Sequence, residues 1–194
     1  MRMLSNTSVG TLILVAALGT QLTACVPVVA GGAAAGGLGA ADRRSTGAYL
    51  EDQEIELKAE KAINDNLKEN VHANVTSYNR RVLITGEVSN EANKAKAESV
   101  VRPIQNVSRI NNQLVIGANS TISSRTNDAY ITSKVKTKFI SENKFAANLV
   151  KVVTENGTVF LMGMVTHKEG DDAAEIASKV SDVKKVVKDF EYID

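Results

Sequence analysis

The sequence predicts an α+β protein made of two tandem αββαβ units, each a three-stranded mixed sheet packed on two helices. An internal repeat, a hairpin signal inside each copy and helical apolar periodicity on either side of it predict this class. Val75-Thr76-Ser77-Tyr78-Asn79-Arg80-Arg81-Val82-Leu83-Ile84-Thr85-Gly86-Glu87-Val88 aligns position for position with Val152-Val153-Thr154-Glu155-Asn156-Gly157-Thr158-Val159-Phe160-Leu161-Met162-Gly163-Met164-Val165, at an offset of 77. Downstream, Ile104, Val107, Ile110, Leu114 and Ile116 match Val180, Val183, Val186, Phe190 and Tyr192 at an offset of 76. One residue has therefore been gained or lost in the helical connection, and one supersecondary unit is used twice. Units of about 65 residues lie near the lower limit for independent folding, so packing between the two would help both.

The elements follow in order. Residues 52–68 read as the first helix, with Ile55, Ala59, Ile63 and Leu67 inward. Its mate spans 128–141, with Asn127 or Asp128 as N-cap and Ile131, Val135 and Phe139 as an i, i+4, i+8 core stripe. Val150–Thr154 and Thr158–Val165 form two strands joined around Asn156-Gly157, the strongest short hairpin signal. The first unit has Arg80 in place of that glycine, so its turn is either of another type or leaves Asn79 at positive φ. A second helix follows, opened in the second unit by the capping box Thr166-His167-Lys168-Glu169. Its apolar positions Ala173, Ile176, Val180 and Val183 mirror Ala97, Val100, Ile104 and Val107. A last strand carries Val186, Phe190 and Tyr192, or Ile110, Leu114 and Ile116. Strand–helix–strand connection implies a parallel pair, so each sheet is mixed, and two helices cover one face of it. Gly86 and Gly163 sit inside strands, where a missing side chain marks close approach of a helix or a bulge.

The amino terminus carries a different signal. Arg2 is the only charge before Cys25, and Val9 to Leu22 is almost wholly apolar or small. This is the order of an export signal. Its roughly 14 residues fall short of the ~20 that a spanning helix needs. Cys25, the only cysteine, closes Leu22-Thr23-Ala24-Cys25, which resembles the bacterial lipobox. That resemblance implies cleavage after residue 24, a covalent diacylglycerol on the Cys25 sulfur and an N-acyl chain on its amine, with no other cofactor. Three buried acyl chains anchor essentially permanently, at about 0.8 kcal/mol per methylene. An ordinary secretory signal or an inert thiol is the competing reading. Val26 follows, where lipoproteins retained in the inner membrane resemble one another in having Asp, and this favours the outer membrane. Residues 25–50, rich in Ala and Gly, read as the acylated cysteine and a flexible tether. The two units then occupy 51–117 and 127–194, with 118–126 as a linker.

Without residues 1–24 the formal net charge falls from +1 to zero, so nothing global points to nucleic acid. No second cysteine exists to form an intramolecular disulfide. Catalysis has little support: His72 and His167 are the only histidines, and neither has a cysteine or a nucleophile motif nearby. Glu169, Asp171, Asp172 and Glu175 read as a solvated helix start rather than a cation site.

The repeated αββαβ order, with its Val82-Leu83-Ile84-Thr85-Gly86-Glu87-Val88 and Val159-Phe160-Leu161-Met162-Gly163-Met164-Val165 strands, resembles BON domains. These are bacterial periplasmic modules associated with phospholipid surfaces. Two such units behind a lipobox resemble more narrowly the dual-BON outer-membrane lipoproteins. The resemblance implies an outer-membrane anchor facing the periplasm, binding of anionic phospholipid through the second unit's first helix, and support of outer-membrane integrity, with division sites as a place of action. The phospholipid contacts expected on that helix are Tyr130, Ile131, Lys134, Thr137 and Lys138, and members of the family often have Trp where this chain has Tyr130.

Charge patterning points the same way. Residues 51–70 hold seven acids and three bases, whereas 128–151 hold five bases and two acids. Tyr130, Lys134 and Lys138 recur at i, i+4, i+8, one step round from the core stripe. An aromatic ring with a polar tip beside lysines suits an anionic headgroup surface, each lysine there giving about 1 kcal/mol. Spacing by itself fits better a solvated lysine face with Tyr130 shielding the core edge. The expectation is a non-enzymatic lipoprotein whose partner is an anionic phospholipid membrane. The rival reading is an adaptor that binds proteins of an outer-membrane assembly or envelope machine.

Overall fold

The computed structural model describes residues 42–67 and 71–194. The signal segment, Cys25 and the first part of the expected tether lie outside them. The first unit runs α1 (Thr46–Asn66), β1 (Val71–Tyr78), β2 (Arg81–Val88), α2 (Glu91–Val101), β3 (Arg109–Asn112) and β4 (Val115–Ile116). The second runs α3 (Ile122–Glu142), a 3-10 turn (Ala147–Leu149), β5 (Lys151–Glu155), β6 (Thr158–Val165), α4 (His167–Ser178) and β7 (Lys185–Tyr192). Among the described residues, four helices and two mixed sheets make the α+β class expected.

In each sheet the second strand is central. β2 pairs antiparallel with β1 and parallel with β3 and β4, and β6 pairs antiparallel with β5 and parallel with β7. The third strand position of the first unit is thus filled by two short segments in a common register. They are interrupted at Gln113-Leu114, where Leu114 is fully buried in the core.

Both first helices begin earlier than the residue pattern suggests. Ser45 caps α1 by accepting from the Ala48 amide, and Thr121 caps α3 by accepting from the Ser124 amide. Residues 46–50 of the expected tether and 122–126 of the expected linker are therefore helical. Neither Asn127 nor Asp128 is an N-cap: Asp128 lies inside α3, buried, and its carboxylate turns to the hairpin. There it accepts from the amides of Asn156 (2.9 Å) and Gly157 (2.8 Å). Asp52 on α1 does the same in the first unit, accepting from the amides of Asn79 (2.8 Å) and Arg80 (2.7 Å). Both hairpins hold two successive residues at positive φ, 50° and 65° at Asn79-Arg80 and 51° and 77° at Asn156-Gly157. Such a pair matches the right-handed twist of the flanking strands. Arg80 consequently does not change the turn type, because a buried carboxylate grips the turn from behind. The Thr166 capping box forms as read, with Thr166 and Glu169 each accepting the other's backbone amide.

Alternation along the central strands divides their side chains between two cores. Val82, Ile84 and Val88 pack on α1 and α2 with Ile55, Ala59, Ile63, Ala97 and Val101. Val159, Leu161 and Val165 pack on α3 and α4 with Ile131, Val135, Phe139, Ala173 and Ile176. The opposite faces are buried as well: Tyr78 and Leu83 from the first unit meet Phe160 and Met162 from the second, with Val153, Met164 and Val187 at the rim. Each sheet is thereby covered by helices on one side and by its repeat on the other. A fully buried apolar side chain is worth about 1.5–3 kcal/mol, so this contact supports two units that are marginal separately.

Polar contacts ring the inter-unit core. Arg81 reaches Asp189 (3.1 Å), Asn79 donates to Glu191 (2.8 Å), and Lys151 pairs with Glu56 (2.8 Å). Arg43, just before α1, donates to the Met164 carbonyl (2.8 Å) and to both Glu169 oxygens (2.7 and 2.9 Å). Ser120, at the matching place before α3, donates its amide to Glu87 (3.1 Å). Each unit thus clips its leading segment to the end of the other unit's central strand.

The strand glycines admit close backbone, from the neighbouring strand at Gly86 and from the 3-10 turn at Gly163. A Cβ on Gly86, whose φ is +116°, would fall 1.9 Å from the His72 carbonyl oxygen of β1. One on Gly163 would fall 2.4 Å from the Leu149 carbonyl oxygen.

Candidate functional site

Helix α3 presents the residues that sequence reasoning singled out, and the structure sorts them. Tyr130, Lys134, Thr137 and Lys138 line one open groove of about 660 Å³, together with Ser133 and Ser141. Its far wall is Lys179, Val180 and Ser181, at the end of α4. Ile131 is not part of it: its side chain is fully buried in the second unit's core and offers nothing to a ligand at the surface. The i+1 step from Tyr130 turns Ile131 by about 100° round the helix, which is enough to exchange surface for core.

The lysines are unequal. Lys134 donates to the Ser181 carbonyl (2.8 Å), the Ser181 hydroxyl (2.8 Å) and Asp182 (2.7 Å), and its ammonium lies 4.7 Å from the centre of the Tyr130 ring. Asp182 is held below the usual carboxylate range by that ammonium. Lys151 is paired with Glu56, and Lys144 lies 3.8 and 3.5 Å from Asp172 and Glu175. Lys136 and Lys138 are left without an ion pair among the described residues. They flank the helix: Lys138 belongs to the Tyr130 groove, and Lys136 to a second groove with Ile140, Phe145 and Ala147. Tyr130 is 61% exposed and Ile140 70% exposed. The outer face of α3 therefore sets exposed Tyr130 and Ile140 between two unpaired cations, and Ile122 in its first turn is exposed as well.

Sequence reasoning missed Ile140 and the α4 wall. Ile140 follows Phe139 directly and is hidden in an apolar pair. Ser181 and Asp182 stand more than forty residues from Lys134, and Asp182 is brought to it by a left-handed turn (φ 71°) that recurs at Asn106 (φ 68°). His167 stacks on Tyr192, with ring centres 4.0 Å apart, and shares Nδ1 with Asp194 at 2.7 Å. It has no part in the groove.

The repeat seen in the fold has a counterpart among known sequences. A family model described as the BON domain matches residues 51–118 and again 127–194. The chain belongs to the BON domain family. Each BON match begins five residues inside a first helix, so α1 and α3 both extend upstream of the family's own boundary. The chain is 38% identical over 175 residues to the outer membrane lipoprotein DolP of Haemophilus influenzae, covering 89% of this chain and 91% of that protein. It is 32% identical over 154 residues to the 21 kDa hemolysin of Actinobacillus pleuropneumoniae, covering 78% and 79%. To the osmotically-inducible protein Y of Escherichia coli it is 28% identical over 149 residues, covering 74% of each. No helix among the described residues is long and apolar enough to cross a membrane.

Proposed function

We propose that this dual-BON protein is a non-enzymatic outer-membrane lipoprotein, anchored through acylated Cys25 and facing the periplasm, whose second unit docks on anionic phospholipid through the outer face of α3. The observation that carries the docking is the pairing of exposed Tyr130 and Ile140 with the unpaired Lys136 and Lys138 on one helix. Apolar side chains flanked by cations suit the boundary between headgroups and acyl chains. Helix α1, the repeat-related element, also exposes Leu50 and Leu57 but carries the acidic charge that an anionic surface repels. The lipobox, the absence of Asp after Cys25 and the likeness to an outer membrane lipoprotein support the anchor and its membrane. With one end fixed, the second contact is intramolecular and can be weak. Gathering anionic lipid in this way would serve envelope integrity, division sites included.

Lys134 is held by Asp182 and Ser181, so the reading assigns the electrostatic attraction to Lys136 and Lys138. Flotation of the body starting at Leu38 with anionic and zwitterionic vesicles tests this. Anionic vesicles should bind it selectively, Lys138→Glu should weaken binding about tenfold or more from roughly 1 kcal/mol per charge removed and again per charge reversed, and Lys134→Gln should weaken it less. Equal binding to both vesicles, or unchanged binding by the Lys136→Glu/Lys138→Glu double variant, would sink the reading. Cross-linking through α3 to envelope proteins with no lipid effect would favour the adaptor instead.

A further inference from the structure

Where the two BON units meet, three metal-capable side chains from different strands converge. They are His72 of β1, Glu87 of β2 and Glu155 at the end of β5. One ligand atom from each lies within 4.8 Å of the others. The His72 and Glu87 side chains are 14% and 4% exposed, and Glu155 is 8% exposed.

Hydrogen bonds serve the two carboxylates unequally, with three donors to Glu87 and one to Glu155. Glu87 accepts from His72 Nδ1 (3.0 Å), from the Ser120 amide (3.1 Å) and from the Asn156 side-chain amide. Glu155 accepts from Asn74 Nδ2 (3.0 Å), which itself lies 3.5 Å from His72 Nε2. Neither carboxylate has a lysine or arginine partner among the described residues. The nearby Arg125 donates instead to the Ser120 hydroxyl and carbonyl, both at 3.1 Å. Two buried carboxylates and one imidazole, with no lysine or arginine paired to either acid among the described residues, form a donor set that a cation would complete.

We propose that His72, Glu87 and Glu155 form a divalent-cation site of the zinc type that ties the first BON unit to the second. The donor set is one imidazole nitrogen and two carboxylate oxygens without thiolate, which suits Zn²⁺ better than the all-oxygen preference of Mg²⁺ or Ca²⁺. Bonds of about 2.0–2.2 Å to a tetrahedral ion need ligand atoms roughly 3.3–3.6 Å apart. His72 and Glu87 would open slightly from 3.0 Å and Glu155 would close in, shifts within side-chain reach. Asn74 holds Glu155, and Asn156 and Ser120 hold Glu87, supplying the outer hydrogen bonds that orient metal ligands. A groove of about 370 Å³, whose lining includes His72, Asn74, Arg125, Asp128, Thr154 and Glu155, provides entry and a fourth position for water. Neither unit owns the site: two ligands come from the first and one from the second.

The test uses the full chain in detergent, stripped of metal and titrated with Zn²⁺. One equivalent should bind, the melting temperature should rise, and the imidazole nitrogen resonances of His72 should shift while those of His167 stay in place. Glu155→Gln should weaken Zn²⁺ binding at least tenfold, His167→Ala should leave it unchanged, and Mg²⁺ should not substitute. A shift confined to His167, or Glu155→Gln binding as well as the unaltered protein, would overturn the site. If Glu155→Gln does not fold, the His72 resonances of the unaltered chain decide alone: no shift at saturating Zn²⁺ refutes the proposal.

Discussion

Asp52→Asn keeps the size of a buried side chain yet removes an acceptor that the first hairpin depends on. Asp52 is 1% exposed. One of its oxygens accepts from the Ser77 hydroxyl (2.7 Å) and the Arg80 amide (2.7 Å), the other from the Asn79 amide (2.8 Å) and Arg44 (2.8 Å). An Asn amide nitrogen fits best on the Ser77 side, where the hydroxyl can rotate to accept from it. The Arg80 amide is then orphaned at about 1–3 kcal/mol. Arg44 also loses a buried carboxylate partner, a loss moderated because Asp42 stays bound to it at 2.7 Å. Together these come to about 3 kcal/mol, or a fall in melting temperature of roughly 6–12 °C for a domain pair of this size. Asp128→Asn orphans one turn amide as well, but no guanidinium is involved, and Gly157 takes positive φ without strain. Its cost should be about half, near 1.5 kcal/mol. Urea and thermal denaturation followed by far-UV circular dichroism measure both. If Asp128→Asn costs as much as Asp52→Asn, or if Asp52→Asn costs under about 0.5 kcal/mol, buried carboxylates are not what holds the hairpins.

Three further outcomes are expected. Gly86→Ala should be worse than Gly163→Ala in the same denaturation assay, because Gly86 combines a 1.9 Å Cβ clash with backbone at φ +116° while Gly163 has only the 2.4 Å clash. Phe160→Ala should cost about 3–5 kcal/mol and perturb amide resonances of Tyr78 and Leu83 in the other unit, since all three share the inter-sheet core. Glu169, held below its usual 4.5 by the Arg43 guanidinium, contributes stability that is present above the unfolded-state value and lost as pH falls through the folded one. Urea midpoints of the unaltered protein and Glu169→Gln should therefore differ by a constant amount above about pH 5 and converge at lower pH.

Much of the fold is written in short-range pattern. Ile131, Val135 and Phe139 fall into the core because helical spacing puts them on one face, and Asn156-Gly157 makes a turn because both residues tolerate positive φ. Thr166 and Glu169 cap α4 because the box closes within four residues. The misplaced helix starts have a physical cause too. Asp128 has the chemistry of a cap, but its acceptors' partners are turn amides some thirty residues downstream, and the true caps, Ser45 and Thr121, lie in stretches rich in small and polar residues that also read as linkers. The candidate groove was half legible: Tyr130, Lys134, Thr137 and Lys138 share it, whereas the neutralisation of Lys134 by Asp182 depends on how α4 ends against α3.

Periodicity, capping and turn chemistry act over a few residues, so the repeat, the order of elements, the two helix-covered cores and the candidate attachment point at Cys25 are legible in the chain alone. Folding was needed to settle which lysines remain free, that the bare sheet faces close on each other through Leu83 and Phe160, and that His72 meets Glu87 and Glu155. Those depend on side chains far apart in the chain, 48 residues for Lys134 and Asp182 and about eighty for His72 and Glu155, being brought within a few ångströms, and no local pattern records such distances.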